Sequence, residues 1–207
     1  TGIIYLLVGV KWILSPIVSM DLDDLALVGR TLSTLADVAT IGMVYVLGKR
    51  LFGRGAGLLA AALVTFAPVH IQLSHFYRPE TFTNLFILAG FWAMLQVLER
   101  RRVRDSALLG LFVGLAFATK VSVLPLLLPL AALYGYLFLN AVRRPRADLR
   151  AAQMESSYGY VMAQASSPVE TLQPSDRLER VALRVLVGGV AALAIYLFST
   201  PYALLDF

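Results

Sequence analysis

Residues 67–83 read APVHIQLSHFYRPETFT, and the rest of the chain is organised around this stretch. It is polar and aromatic, contains both histidines of the chain, His70 and His75, and has a long apolar run on each side. Because unpaired polar groups are costly in hydrocarbon, such a stretch must leave the membrane or line a polar cavity within it. We therefore expect the apolar runs to be helices that hold this loop in place.

The composition indicates an integral membrane protein. Of the 207 residues, 58% are hydrophobic and 15% are charged, whereas a soluble domain is about half apolar and about a quarter charged. The chain has no cysteine, which excludes disulfides and thiolate metal sites. Its net charge of +5 comes from Lys and Arg clustered between apolar runs, where topology signals lie. We therefore expect no nucleic-acid partner.

The apolar runs predict an all-α bundle of about six transmembrane helices, because a helix of about 20 residues crosses a core of about 30 Å. Residues 107–142 would form about 54 Å of helix, so this region must make two passes, with its turn at Lys120 and Ser122. A further apolar stretch, residues 2–18, either spans the membrane or lies along its surface as a juxtamembrane helix. The six predicted spans are 25–47, 58–71, 82–98, the two passes within 107–142, and 185–198.

Charge patterning predicts the orientation of these helices. Basic clusters at 49–54, 100–104, 143–150 and 177–184 alternate with loops at 20–30, at 70–80, near 120 and past 199. Cytoplasmic loops are the ones enriched in Lys and Arg, so the histidine loop is expected outside the cytoplasm. The expected location is the bacterial inner membrane.

Three parts of the chain are predicted from the same pattern. Residues 1–142 form the N-terminal part of the transmembrane domain. Residues 143–184 form a cytoplasmic, partly irregular loop, in which 151–176 are rich in Ser, Gln and Ala without a strong period. Residues 185–207 add a further transmembrane helix and the start of an external segment. Both ends of the chain suggest a piece of a longer polypeptide.

Two acidic positions near the front of the chain are candidates for chemistry. Asp21 and Asp23 have the D-x-D spacing with which some sugar transferases hold a divalent metal, although acidic loops outside a membrane are common. Asp37 lies inside a predicted span, where a carboxylate is a functional candidate. The favoured alternative for Asp37 is a structural pair with Arg30, seven residues earlier on the same helical face.

The histidine loop ends in a more specific pattern. Pro79 keeps Arg78 out of a helix and can open the next helix as its first residue. Glu80 then falls in the first turn, where a carboxylate favours the positive helix end even without a functional role. Lys120 either snorkels to the headgroups or points a cation at a lipid phosphate. The two histidines are five residues apart and share no face, so zinc is not expected.

Four runs follow one another along the chain: GRTLSTLADVAT, YVLGKRLFGRGAGLLAA, FAPVHIQLSHFYRPET and GLAFATK. Their order resembles the polytopic GT-C glycosyltransferases, in particular the protein O-mannosyltransferase and aminoarabinose transferase relatives. The resemblance covers most of residues 1–142, and the PYALLD end also fits. The ordered set is more specific than any one run.

This resemblance implies an enzyme that moves a sugar from a polyprenyl-phosphate carrier to an acceptor hydroxyl outside the cytoplasm. Glu80 matches an acidic residue after a proline in the second external loop, where the family commonly has aspartate, and Lys120 matches a Thr-Lys position. An acid of the first external loop is expected upstream of Thr1. The candidates are Glu80 as catalytic residue, and Arg78, Lys120, His75 and Tyr77 as substrate-binding residues. No cofactor is certain, and a divalent metal is left open, with Asp21 and Asp23 as its candidate ligands.

The expected partners are membrane lipid, the polyprenyl-phosphate sugar and the remainder of the polypeptide or other membrane subunits. The alternative function is a non-catalytic membrane scaffold whose loop at 70–80 contacts another protein. A transporter is a third hypothesis, but paired broken helices, which are typical of transporters, are not visible in the sequence.

Overall fold

A computed structural model describes residues 22–68, 78–158 and 174–200, together with residues 8, 11, 12 and 72. These residues form helices and short connections, which confirms the predicted all-α fold. The elements are α1 (Leu22–Phe52), α2 (Arg54–Thr65), α3 (Pro79–Arg100), α4 (Val103–Thr119), a 3₁₀ segment (Val121–Leu126), α5 (Leu127–Tyr158) and α6 (Pro174–Ser199).

Four segments of the described chain are long and apolar enough to cross a membrane: Ala26–Phe52, Pro79–Arg100, Val121–Val142 and Leu178–Ser199. Helix α4 has 17 residues and lies largely inside the bundle. Helix α2 has 12 residues, or about 18 Å, which is short of a full crossing. Residues 69–71 of the predicted span 58–71, and most of the apolar stretch 2–18, lie outside the described residues.

The break predicted at Lys120 within residues 107–142 is present, and of the two parts Val121–Val142 is long and apolar enough to cross a membrane. Helix α4 ends at Thr119, Lys120 is extended, and the 3₁₀ segment carries Pro125 before α5 begins. Helix α5 then continues to Tyr158, beyond the predicted start of an irregular loop at 151, and α6 begins at Pro174 instead of 185. Residues 147–154 are rich in Ala, Leu, Arg, Gln and Met, whose high helix propensity extends α5, and proline suits the first position of α6.

Helix α4 lies at the centre of the core and contacts α6 over much of its length. Gly110 and Gly114 face the backbones of Gly188 and Ala192, and a Cβ on either α4 glycine would overlap a carbonyl oxygen of α6. Gly110 contacts Gly188 and Gly114 contacts Ala192, so residue numbers increase in the same direction on both helices and the helices run parallel. Glycines four residues apart, as Gly110 and Gly114 are, allow this close approach of two helices.

Apolar side chains fill the core and also cover the outside of the bundle. The buried cluster joins residues of α3, α4, the 3₁₀ segment, α5 and α6 around Val97, Leu109 and Ala116. Large apolar side chains such as Leu63, Leu128 and Phe198 are exposed. A soluble monomer rarely exposes apolar surface on this scale, whereas lipid tails solvate it. The chain is an integral membrane protein.

One end of the bundle is basic and is fixed by an ion pair. Arg50, at the end of α1, contacts Glu99, at the end of α3, through Nη2–Oε2 at 2.5 Å and Nε–Oε1 at 3.1 Å. Arg101 follows α3 in the left-handed conformation, with φ of 52°, and turns the chain into α4. We call this end, where α3 ends and α4 and α6 begin, the basic end.

Candidate functional site

The opposite end of the bundle carries Glu80 in the first turn of α3. Arg78 is extended, with φ of −121° and ψ of 144°, and Pro79 is the first helical residue. This confirms the local structure predicted from the Arg-Pro-Glu sequence. Proline fits here because its missing N–H would have no helical partner in the first turn, and the carboxylate meets the positive end of the helix.

Lys120 reaches the same place from the break between α4 and α5. Its N–H donates to the carbonyl oxygen of Ala116 at 3.2 Å, which closes the last turn of α4, and its extended backbone leads into the 3₁₀ segment. The Nζ of Lys120 donates to Oε1 of Glu80 at 3.0 Å, although the two residues are 40 positions apart. We call this ion pair and its surroundings the Glu80–Lys120 site.

A pair of threonines lies buried next to the ion pair in sequence, Thr83 on α3 and Thr119 on α4. Their hydroxyl oxygens are 2.7 Å apart, and each is also 2.7 Å from a backbone carbonyl oxygen, that of Pro79 or Ala116. The two hydroxyl groups have only two protons for these three contacts. Each hydroxyl can therefore donate either to the carbonyl oxygen of its own helix or to the other hydroxyl. The contact joins the start of α3 to the end of α4 beside the site.

Two cations act on the Glu80 carboxylate, those of Lys120 and of the adjacent Arg78. Oε1 accepts from Lys120, whereas Oε2 is shielded from solvent and has no hydrogen-bond partner among the described residues. The Lys120 side chain is 46% exposed, and an ammonium has three donor hydrogens. Lys120 therefore keeps donors for a second, external acceptor while it is paired with Glu80.

The other predicted site residues are placed as follows. Arg78 is exposed and lies two residues before Glu80. His70, His75, Tyr77 and Asp21 lie outside the described residues, and Asp23 is described only as part of the α1 backbone. Within the described part of the chain, no group of three or more His, Asp or Glu side chains could hold a metal ion. A divalent metal remains an expectation from the sequence.

Asp37 is a buried carboxylate on α1, and only 7% of its surface is exposed. Ser33 and Thr40, one turn away on either side, are buried on the same face, whereas Arg30 is exposed. The predicted pairing of Asp37 with Arg30 stays a prediction. Sequence reasoning missed the polar character of this face, which the i, i+4, i+7 spacing of Ser33, Asp37 and Thr40 would have indicated.

This architecture defines a class: a helical membrane protein with an ion-paired polar site at the end of the bundle opposite a basic end. A family model described as dolichyl-phosphate-mannose-protein mannosyltransferase matches residues 8–163, most of the chain, and the chain belongs to this family. It is a mannosyltransferase-like membrane glycosyltransferase of the GT-C type, as the sequence resemblance implied. No curated protein and no solved structure matches the chain.

Proposed function

We propose that the chain forms part of an enzyme that transfers a sugar from a polyprenyl-phosphate donor to an acceptor hydroxyl on the extracytoplasmic side, at the Glu80–Lys120 site. The observation that supports this proposal best is the contact between Lys120 Nζ and Glu80 Oε1. Two residues assigned to one site by family resemblance, Glu80 in the first turn of α3 and Lys120 just after α4, meet at 3.0 Å.

In this reaction the acceptor oxygen attacks C1 of the sugar, and the bond between C1 and the phosphate oxygen breaks. The phosphate keeps the bonding electron pair, so its charge grows from that of a diester to that of a monoester. Lys120 and Arg78 are the cations assigned to this growing charge. Preorganised cations accelerate a reaction when they bind the transition state more tightly than the ground state, and here the charge they meet increases along the reaction.

Glu80 has two roles in this proposal. Before substrate binds, it holds the Lys120 ammonium at the end of α4, so Lys120 is already oriented when the donor phosphate arrives. The donor phosphate binds the ammonium hydrogens of Lys120 that Glu80 does not use. The same carboxylate also orients the acceptor hydroxyl. The acceptor proton passes to a carboxylate base, which the family resemblance assigns to the first external loop. His75 and Tyr77 remain proposed substrate-binding residues of the histidine loop.

The test compares two lysine substitutions in the full-length protein reconstituted with a polyprenyl-phosphate sugar and acceptor. Lys120→Met should lower single-turnover transfer by about 100-fold or more, as loss of a preorganised transition-state donor does. Lys49→Met is the matched control, because Lys49 is exposed near the basic end and lies over the Tyr45 ring, 5.8 Å from its centroid. That variant should transfer sugar normally.

Both variants should insert into the membrane to the same extent. A lower rate of transfer by Lys120→Met would then reflect impaired catalysis and not a smaller amount of inserted protein. Normal transfer by Lys120→Met would show that this lysine only reaches toward the headgroups. Normal transfer by Arg78→Ala and Glu80→Gln as well would favour the scaffold hypothesis, in which the loop at 70–80 contacts another protein.

A further inference from the structure

An apolar groove lies between α4, α5 and α6. It consists of two adjoining cavities of about 300 Å³ and about 210 Å³, which share Val113, Leu127 and Ala192 in their walls. Its walls are apolar apart from the tyrosines at its ends, and it ends toward the basic end at Tyr134, Gly188 and Gly189. We call this the α4–α6 groove.

Arg184 lies on α6 one turn before Gly188, and therefore on the same side of that helix. The hydroxyl of Tyr134 and the carbonyl oxygen of Ser106 both lie close to Gly188. The Nε of Arg184 is buried and has no hydrogen-bond partner among the described residues. A guanidinium N–H that is removed from water without an acceptor is destabilising.

The electrostatic environment of Arg184 is also unfavourable for a cation. Among the described residues, the ionisable groups that act on Arg184 are the guanidinium groups of Arg101 and Arg180, which are cations, and the Tyr134 hydroxyl. Asp105, a buried carboxylate at the start of α4, is not among them. Arg180 and Arg184 are four residues apart on α6, and Arg101 follows the end of α3 at the same end of the bundle. An anion with several acceptor oxygens at this end would relieve both the repulsion and the unpaired Nε.

We propose that one anionic phospholipid binds here, with its phosphate on Arg184, Arg101 and Arg180 and an acyl chain in the α4–α6 groove. The charge of the three arginines selects the headgroup, and the apolar walls that begin within one turn of Arg184 accept the chain. Basic pockets between transmembrane helices bind anionic headgroups in this way. The headgroup position is at the opposite end of the bundle from the Glu80–Lys120 site, whereas the groove extends along α4 as far as Phe117 and Val121. The proposal does not depend on the proposed sugar transfer.

The first experiment measures thermal unfolding of the delipidated full-length protein in detergent. Phosphatidylglycerol should raise the unfolding temperature, because a ligand that binds the folded state stabilises it, whereas phosphatidylcholine and inorganic phosphate should not. Arg184→Gln should weaken the apparent affinity for phosphatidylglycerol by about tenfold or more, the loss expected for hydrogen bonds to a charged group. Arg104→Gln removes an exposed charge from the same end and should respond like the wild type.

A second variant tests the groove separately from the charge. Gly189 lines the groove, and a Cβ at this position would meet no atom within 4 Å, so Gly189→Leu should fill the groove without disturbing the α4–α6 contact. Its unfolding temperature without lipid should equal or slightly exceed that of the wild type, because leucine favours a helix more than glycine does, and its response to phosphatidylglycerol should be lost. An undiminished response in Arg184→Gln or in Gly189→Leu, or an equal response to inorganic phosphate or phosphatidylcholine, would overturn the proposal.

Discussion

At the scale of single residues, the contact between Glu80 and Lys120 changes what a substitution of Glu80 is expected to do. From the sequence alone, Glu80→Gln should lower turnover with little effect on donor affinity, while Arg78→Ala should mainly weaken donor binding. Because Lys120 Nζ donates to Glu80 Oε1 at 3.0 Å, removing the carboxylate charge also releases the lysine. We therefore expect Glu80→Gln to weaken both donor binding and turnover.

A double-mutant cycle measures this dependence. If Glu80 acts partly by holding Lys120, then Glu80→Gln and Lys120→Met should not be additive, and the double variant should be only slightly slower than Lys120→Met alone. Residues that act independently would instead multiply their losses. The measurement is single-turnover transfer and donor binding for the four proteins of the cycle. If the losses in transfer rate are independent in the cycle, Glu80 acts on the acceptor hydroxyl and has no role in positioning Lys120.

Local chemistry explains which features of this site could be predicted. Pro79 and Glu80 begin a helix because of their own backbone and charge preferences, and Lys120 marks a break because 36 apolar residues are too long for one pass, at about 1.5 Å per residue. The hydroxyl contact between Thr83 and Thr119 could not be predicted. It depends on how α3 and α4 pack, and no local pattern in either segment specifies that packing.

At the scale of helices, the close contact of α4 with α6 leads to a prediction about glycine. A Cβ at Gly110 would overlap the backbone of Gly188, whereas a Cβ at Gly135 on α5 meets no atom within 4 Å. Gly110→Ala should destabilise the protein by about 1–3 kcal/mol, because the helices must separate. Gly135→Ala should leave stability unchanged or raise it by up to about 1 kcal/mol through helix propensity.

Unfolding of both variants in detergent, followed by circular dichroism, checks this expectation. Equal stability of the two variants would mean that α4 and α6 are less tightly packed than the structure has them.

The helix boundaries show what sequence patterns could not predict at this scale. Residues 151–158 show no helical period of apolar residues, which indicated a loop, but several of their side chains have high helix propensity. In the structure these residues are helical.

At the scale of the whole molecule, the structure sorts the charged contacts into two ends. Arg50 with Glu99, and Arg184 with Arg101 and Arg180, lie where α3 ends and α4 and α6 begin. Glu80 with Lys120 lies at the other end of α3 and α4. This sorting agrees with the alternation of basic clusters and polar loops in the sequence. Hydropathy and charge predict such an arrangement because apolar segments favour the lipid interior and charged segments favour the aqueous surfaces.

The orientation itself is the last prediction. An excess of Lys and Arg favours the cytoplasmic side, so the basic end should face the cytoplasm and the histidine loop should face outward. These 207 residues contain no cysteine, so a single cysteine introduced among them has no competing thiol in this part of the protein. In intact cells, a cysteine at Ser74 should react with a membrane-impermeant thiol reagent, and a cysteine at Ser157 should react only after the membrane is permeabilised. The reverse pattern would place the Glu80–Lys120 site in the cytoplasm, where an extracytoplasmic acceptor could not reach it, and would move the proposed phospholipid to the outer leaflet.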